Sequence, residues 1–171
     1  PRIFFIPRND VPIPMKEVEV YTDGACRGNP GRGGYGAVLK YRDFRKELSG
    51  GFRLTTNNRM EVFAVIAALE ALREPCILTI RSDSRYLIDT MEKGWLERWR
   101  KNGWKNRNGD PVRNIDLWRR LFVAKLRHKC KFIWVKGHAS NEENNRCDAL
   151  ATAAADGSDL LEDEPFAALP S

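Results

Sequence analysis

Two apolar, β-branched runs, EVEVYTD at residues 17–23 and CILTIRSD at residues 76–83, each end on an aspartate followed by a small residue, Gly24 or Ser84. The first alternates apolar and polar residues with period two, the pattern of a half-buried strand. The second is compact and β-branched, and reads as another strand. YGAVLKYR and FRKELSGGFR follow the first run after the turn-forming CRGNPGRGG and read as two further strands of a meander. From Asn57 to Leu72, Met60, Val62, Phe63, Ile66 and Leu69 recur at helical spacing. Thr55, Thr56 and Asn57 offer capping oxygens at its start, and Glu74-Pro75 ends it. SRYLIDTMEK reads as a short helix, Ile115–Leu126 as an amphipathic one with Asn114 or Asp116 at its start, KFIWVKG as a strand and Asn141–Ala155 as a last, Ala-rich helix. The order predicts an α/β fold with a mixed sheet and helices on its faces, the later strands parallel.

The chain's 171 residues suit one domain, and no apolar run approaches the ~20 residues of a membrane helix. The start, PRIFFIPRNDVPIP, is broken by prolines and charges and makes a poor leader sequence. Cys26, Cys76, Cys130 and Cys147 form no Cys-x-x-Cys pair. That argues against a zinc framework and for buried or inert thiols in a reducing cytoplasm. The net charge is +6, but Asp156, Asp159, Glu162, Asp163 and Glu164 lie in a base-free stretch at 156–171, which leaves residues 1–155 five charges higher at +11. A basic body favours a polyanionic partner, which charge alone does not identify.

In open α/β sheets ligands gather at the carboxyl ends of strands, where Asp23 and Asp83 stand. Taken singly, Asp-Gly opens a turn and Asp-Ser caps a helix equally well. Taken together, two carboxylates on neighbouring strands repel unless a cation lies between them. Glu61 stands in the first turns of its helix amid an apolar face, and Asp148 lies one helical turn after Asn144. Four acids without a matching Cys or His set point to a hard cation, Mg²⁺ or Mn²⁺, and to phosphodiester chemistry.

Five motifs carry a resemblance to the type 1 ribonuclease H family: TDGAC with Gly28-Asn29-Pro30-Gly31; TTNNRME at 55–61; Ser82-Asp83-Ser84 with Tyr86; Trp134-Val135-Lys136-Gly137-His138-Ala139; and Asn144 with Arg146-Cys147-Asp148 and Leu150-Ala151. They run in order between Val18 and Ala155. The resemblance implies a ribonuclease H-like fold with a five-stranded mixed sheet. It implies endonucleolytic hydrolysis of the RNA strand of RNA–DNA hybrids, leaving 5′-phosphate and 3′-hydroxyl ends. It places Asp23, Glu61, Asp83 and Asp148 at the metal-binding positions for two ions held with substrate, and His138 at the active-site histidine on a loop. Ala139-Ser140-Asn141 lacks the glycine that commonly follows the alanine, so this loop is expected to move differently.

By the same resemblance Gly24, Asn29, Asn57 and Asn58 contact the substrate. Thr56, with Arg59 beside it, would hold a phosphate of the DNA strand at the helix N-terminus. Residues 93–113 carry seven bases against Glu97 and Asp110, with Trp95, Trp99 and Trp104 interleaved, and match the family's basic protrusion. There Arg100 and Lys101 would bind phosphates and Trp95 would pack on the DNA sugar-phosphate chain, while Trp99 and Trp104 read as packing anchors. His128, in Arg-His-Lys, reads as a solvated surface group.

The glycine-rich CRGNPGRGGYG is not a nucleotide loop: it lacks the Gly-Lys-Ser/Thr ending, and a strand follows it. Residues 1–16 are expected as an N-terminal extension, 17–156 as the catalytic domain, and 157–171 as a mobile acidic tail open to a protein partner. A monomer with no membrane association and no separate hybrid-binding domain is expected. Two rival functions remain: a non-catalytic hybrid-binding module, and a DNA strand-transfer enzyme of the same fold.

Overall fold

The computed structural model describes residues 14–137 and 140–167. Residues 16–55 build an antiparallel meander of β1 (Lys16–Arg27), β2 (Gly31–Tyr41) and β3 (Phe44–Thr55). Then come α1 (Asn57–Ala71), β4 (Cys76–Ser82), α2 (Arg85–Glu92), α3 (Trp95–Lys101), α4 (Ile115–Lys125), β5 (Lys129–Trp134), α5 (Glu142–Asp156), β6 (Leu160–Leu161) and α6 (Glu164–Ala167). The sheet order is β5-β4-β1-β2-β3-β6, with β4 parallel to both β1 and β5. The expected five strands are therefore six among the described residues. The sixth has two residues set among acids, too short for any periodicity, and it pairs with β3 at Gly51 and Phe52.

Period two in the strands divides the molecule into layers. One sheet face meets α1, whose Val62, Val65, Ile66 and Leu69 are fully buried together with Val20, Leu78 and Ile80 of the strands. Leu87, Trp118 and Leu121 from α2 and α4 complete this core. The sheet covers α1 on one side and α4 on the other, which is why its sequence is apolar nearly all round. Burying each of its large aliphatic side chains contributes about 1.5–3 kcal/mol.

The other sheet face receives α5 at very short range. A Cβ on Gly36 would stand 2.4 Å from the Cys147 carbonyl oxygen, so only glycine lets the helix seat there. The Ala-rich half of α5 supplies the matching small surface, with Ala151 and Ala155 fully buried. This contact fixes the height of Asp148 above β1 and β2.

The acidic tail differs from expectation. Residues 157–166 pack on the body instead of leaving it: Leu160 is buried, and Asp163 is buried against Arg59 and Thr55. Residues 168–171 and 1–13, the latter most of the expected extension, lie outside the described residues. His128 also departs from expectation. It is buried, and its Nδ1 accepts the Cys76 N–H at 3.0 Å. Burial, reinforced by Arg127, pushes its pKa down. Burial raises the pKa of all four thiols, Cys130 to about 11 and Cys147 to about 12, so they stay neutral and unreactive.

Candidate active site

The parallel register of β1 and β4 ends at Tyr21↔Arg81, and two residues farther along each chain stand Asp23 and Asp83. Equal steps past a common register line point both side chains to the same sheet face. The turn carrying Asp83 is held from β5: Val135 N–H donates to the Ser82 carbonyl at 3.0 Å, and Trp134 Nε1 donates to the Asp83 carbonyl at 3.1 Å. Ser84 caps α2, its Oγ accepting the Leu87 N–H, so the helix-cap reading of Asp83-Ser84 and the site reading are both satisfied by adjacent residues.

Glu61 arrives from the other layer. Thr56 is the N-cap of α1 and accepts the Arg59 N–H, which sets the first turn in place. A Cβ on Gly24 would lie 2.5 Å from the Glu61 nitrogen, so the missing side chain is what brings β1 against this turn. The result is a cluster in which carboxylate oxygens of Asp23, Glu61 and Asp83 all lie within 4.8 Å of one another. Gly137, in the loop after β5, closes over Asp83: a Cβ there would stand 2.5 Å from Asp83 Oδ2.

Asp148, the fourth expected acid, lies outside this group of three. It is half-buried on α5, close enough that its charge adds to those raising the pKa of Asp23. His138 and Ala139 lie outside the described residues, so the expectation for His138 has no structural counterpart here.

Asp23 and Glu61 are each 5% exposed. Burial, then the charge of Asp83, raises the Asp23 pKa to about 7, against the Gly24 N–H, which donates to Oδ1 at 2.9 Å. Burial, then Asp23 and Asp83, raises Glu61 well above the usual carboxylate range. Glu61 Oε2 is buried without a hydrogen-bond partner among the described residues. An orphaned buried carboxylate oxygen costs free energy unless something positive meets it. Three oxygen donors with no imidazole or thiolate among them suit a hard divalent cation. The donor set therefore fits a metal.

The flanking surface holds the residues expected to meet the substrate, and one of them is turned inward. Asn29 Oδ1 accepts the Asn57 N–H at 2.9 Å, joining the β1–β2 turn to the start of α1, and Asn58 beside them is exposed. Trp99 and Trp104 pack at the foot of the basic segment: Trp99 lies 5.8 Å from the Trp118 ring, and Arg119 stacks 5.4 Å over Trp104. Trp95 is half-buried with Lys93 5.3 Å over its ring, and Arg100 and Lys101 are exposed. Arg59, expected at a phosphate, is 2% exposed and engaged inward with Asp116 and Asp163. Its partners lie 57 and 104 residues away, so no local pattern could reveal them. Sequence reasoning also missed Asp163 itself, whose setting among other acids resembles a solvated run.

The ribonuclease H family model matches residues 15–156. A ribonuclease H of Syntrophus aciditrophicus is 56% identical, the alignment covering 90% of this chain and 88% of that protein. One of Moorella thermoacetica is 58% identical over 82% of this chain and 92% of that one. The crystal structure of LC9-RNase H1, a type 1 RNase H with the type 2 active-site motif, superposes with a TM-score of 0.77 at 32% identity, covering 92% of this chain and 83% of that one. LC11-RNase H1 in complex with an RNA/DNA hybrid superposes with a TM-score of 0.63 at 26% identity, covering 81% and 96%.

Proposed function

Because this chain belongs to the ribonuclease H family, whose members are metal-dependent nucleases, we propose that it cleaves the RNA strand of RNA–DNA hybrids endonucleolytically at the Asp23–Glu61–Asp83 cluster. The observation that carries this reading is the convergence of three carboxylates within 4.8 Å, two of them buried, from three separate elements. A protein that only bound the hybrid would gain nothing from concentrated negative charge facing phosphates.

Asp23, Glu61 and Asp83 would hold Mg²⁺, or Mn²⁺ in its place, with Asp148 completing the set for a second ion when substrate is bound. A metal held by these residues would supply a water of lowered pKa as nucleophile and charge neutralisation at the departing 3′-oxygen. The protein's own part is positioning. The Gly24 N–H fixes the Asp23 carboxylate and the Trp134 indole fixes the Asp83 backbone, which limits reorganisation as charge develops. The products are a 5′-phosphate and a 3′-hydroxyl.

Selection of a ribonucleotide falls to groups that can meet a 2′-hydroxyl as donor and acceptor, Gly24, Asn29, Asn57 and Asn58. Thr56 stands at the N-terminus of α1, a favourable place for a phosphate of the DNA strand. Trp95, Arg100 and Lys101 extend the contact along the basic segment. Among the described residues no helix is long and apolar enough to cross a membrane.

The test is cleavage of an end-labelled hybrid in Mg²⁺ or Mn²⁺ beside duplex DNA, duplex RNA and pre-processed DNA ends. The expected result is internal cuts in the RNA strand alone, reduced about a hundredfold or more in Asp83→Asn. Tight binding without turnover in either metal would favour a binding module, and joining of DNA ends a strand-transfer enzyme. Full activity in Asp23→Asn or Asp83→Asn would remove the metal assignment.

A further inference from the structure

Arg59 carries five side-chain hydrogen bonds. Two go to Asp163, at 2.7 and 2.9 Å; two to Asp116, at 2.9 and 2.7 Å; and one to Asn114 Oδ1 at 3.3 Å. Asp163 also accepts the Thr55 hydroxyl at 2.6 Å. One buried guanidinium thus joins three segments distant in sequence. They are the β3–α1 corner, with Thr56, Asn57 and Asn58; the foot of the basic segment, where Arg113 leads into α4; and the C-terminal acidic stretch. Asn114 takes a left-handed φ of 57° and caps α4 without a side-chain bond to it. Its amide instead faces Arg59 and the Tyr86 hydroxyl, to which it donates at 2.9 Å. A cavity of about 550 Å³ opens beside this knot, lined in part by Asn29, Thr56, Asn58, Arg113, Asn114 and Phe166.

Resting on the hybrid-cleavage reading, we infer that Asp163 is a positioning residue for the substrate: through Arg59 it fixes the Thr56–Asn58 corner relative to Arg113 and the basic segment. The two surfaces would face successive phosphates of one strand, and their spacing decides whether both are met at once. Arg suits the task because its planar fork donates to two carboxylates in one geometry, which a point-charge lysine would not hold. Burial makes the arrangement stiff, since a guanidinium that loses one carboxylate is left charged and under-paired in a low-dielectric setting. A corner held in its binding geometry before the hybrid arrives avoids an ordering cost on association. Asp163 is on this view part of the binding apparatus, acting through Arg59.

The experiment measures steady-state cleavage of a labelled hybrid in Mg²⁺ by the full chain and by Asp163→Asn, at a temperature where circular dichroism shows both folded. Loosened positioning weakens ground and transition states alike. KM should therefore rise roughly three- to tenfold with kcat kept within about twofold. Asp163→Glu, which keeps the charge, should recover most of the KM. Leu39→Ala, a core change far from the corner, should lower Tm without moving KM. If Asp163→Asn does not fold, Asp116→Asn, which releases the same guanidinium from its more exposed side, decides by the same criterion. An unchanged KM in the folded variant, or an equal rise in Leu39→Ala, overturns the inference alone. Absence of hybrid cleavage by the wild-type chain overturns the parent reading and this one with it.

Discussion

Asp23 and Glu61 present carboxylate oxygens within 4.8 Å of each other, one from within β1 and one from the first turns of a helix, where Gly24 brings the two backbones together. Both are buried, and burial together with the charge of Asp83 raises the proton affinity of each, Asp23 adding to the rise at Glu61. The metal-free protein therefore holds protons in this site that the unfolded chain would release at neutral pH.

That linkage has a definite sign. The Asp23 pKa is raised from 3.8 to about 7 on folding. Its contribution to stability is complete below the unfolded value and is lost as pH rises through about 7. Each pH unit of displacement is worth about 1.4 kcal/mol. In EDTA, Asp23→Asn should therefore be more stable than the wild type at pH 8, by up to a few kcal/mol, and the difference should fade between pH 7 and pH 4. Thermal unfolding across that range checks it, and a constant difference would sink the prediction. Saturating Mg²⁺ should raise Tm in the wild type and much less in the variant.

Gly24→Ala places a methyl group 2.5 Å from the Glu61 nitrogen, where β1 and α1 are both backbone-rigid. The layers must part, at about 1–3 kcal/mol. Asp23 and Glu61 should separate with them, so activity in Mg²⁺ should fall more than the Tm loss explains. An active, stable Gly24→Ala enzyme would show that the close approach is not needed.

Arg100→Ala combined with Lys101→Ala removes two exposed cations of the basic segment, neither of them in the carboxylate cluster. KM for the hybrid should rise with kcat little changed, and the slope of log KM against log salt should flatten by about two. A larger loss in kcat than in KM would mean that the basic segment acts in the chemical step.

His128 has its pKa pushed down by burial and by Arg127, so it is neutral in the fold. Its stabilising effect is present above the unfolded value near 6.5 and is lost as pH falls through the lower folded value. His128→Gln should be less stable at pH 8, and its stability should decline less steeply from pH 7 to pH 5. Denaturant midpoints at these pH values measure both quantities.

Much of the site was legible locally. β-branching in 76–83 correctly placed Asp83 at the end of β4, whereas β1 runs on past Asp23 to Arg27 because it stays paired with β2 there, and motif order linked both to Glu61 and Asp148. Thr56 was among the expected caps because an N-cap needs only a side-chain oxygen and three following residues. The reading failed where a side chain's partner is distant. Arg59 looks like a phosphate ligand beside Thr56-Asn57-Asn58, and His128 looks solvated between Arg127 and Lys129, because their neighbours in sequence are polar.

The amino-acid sequence by itself determined the order of the main strands and helices and the helix caps, since each depends on contacts within a few residues. Tertiary structure alone decided that three acids share one point while Asp148 stands apart. It alone turned Arg59 inward and seated the acidic tail as a sixth strand and an ion-pair partner. The physical reason is that a charge buried in a low-dielectric interior must be matched by whatever group the fold brings within hydrogen-bonding distance, and that distance is set by packing, not by position along the chain.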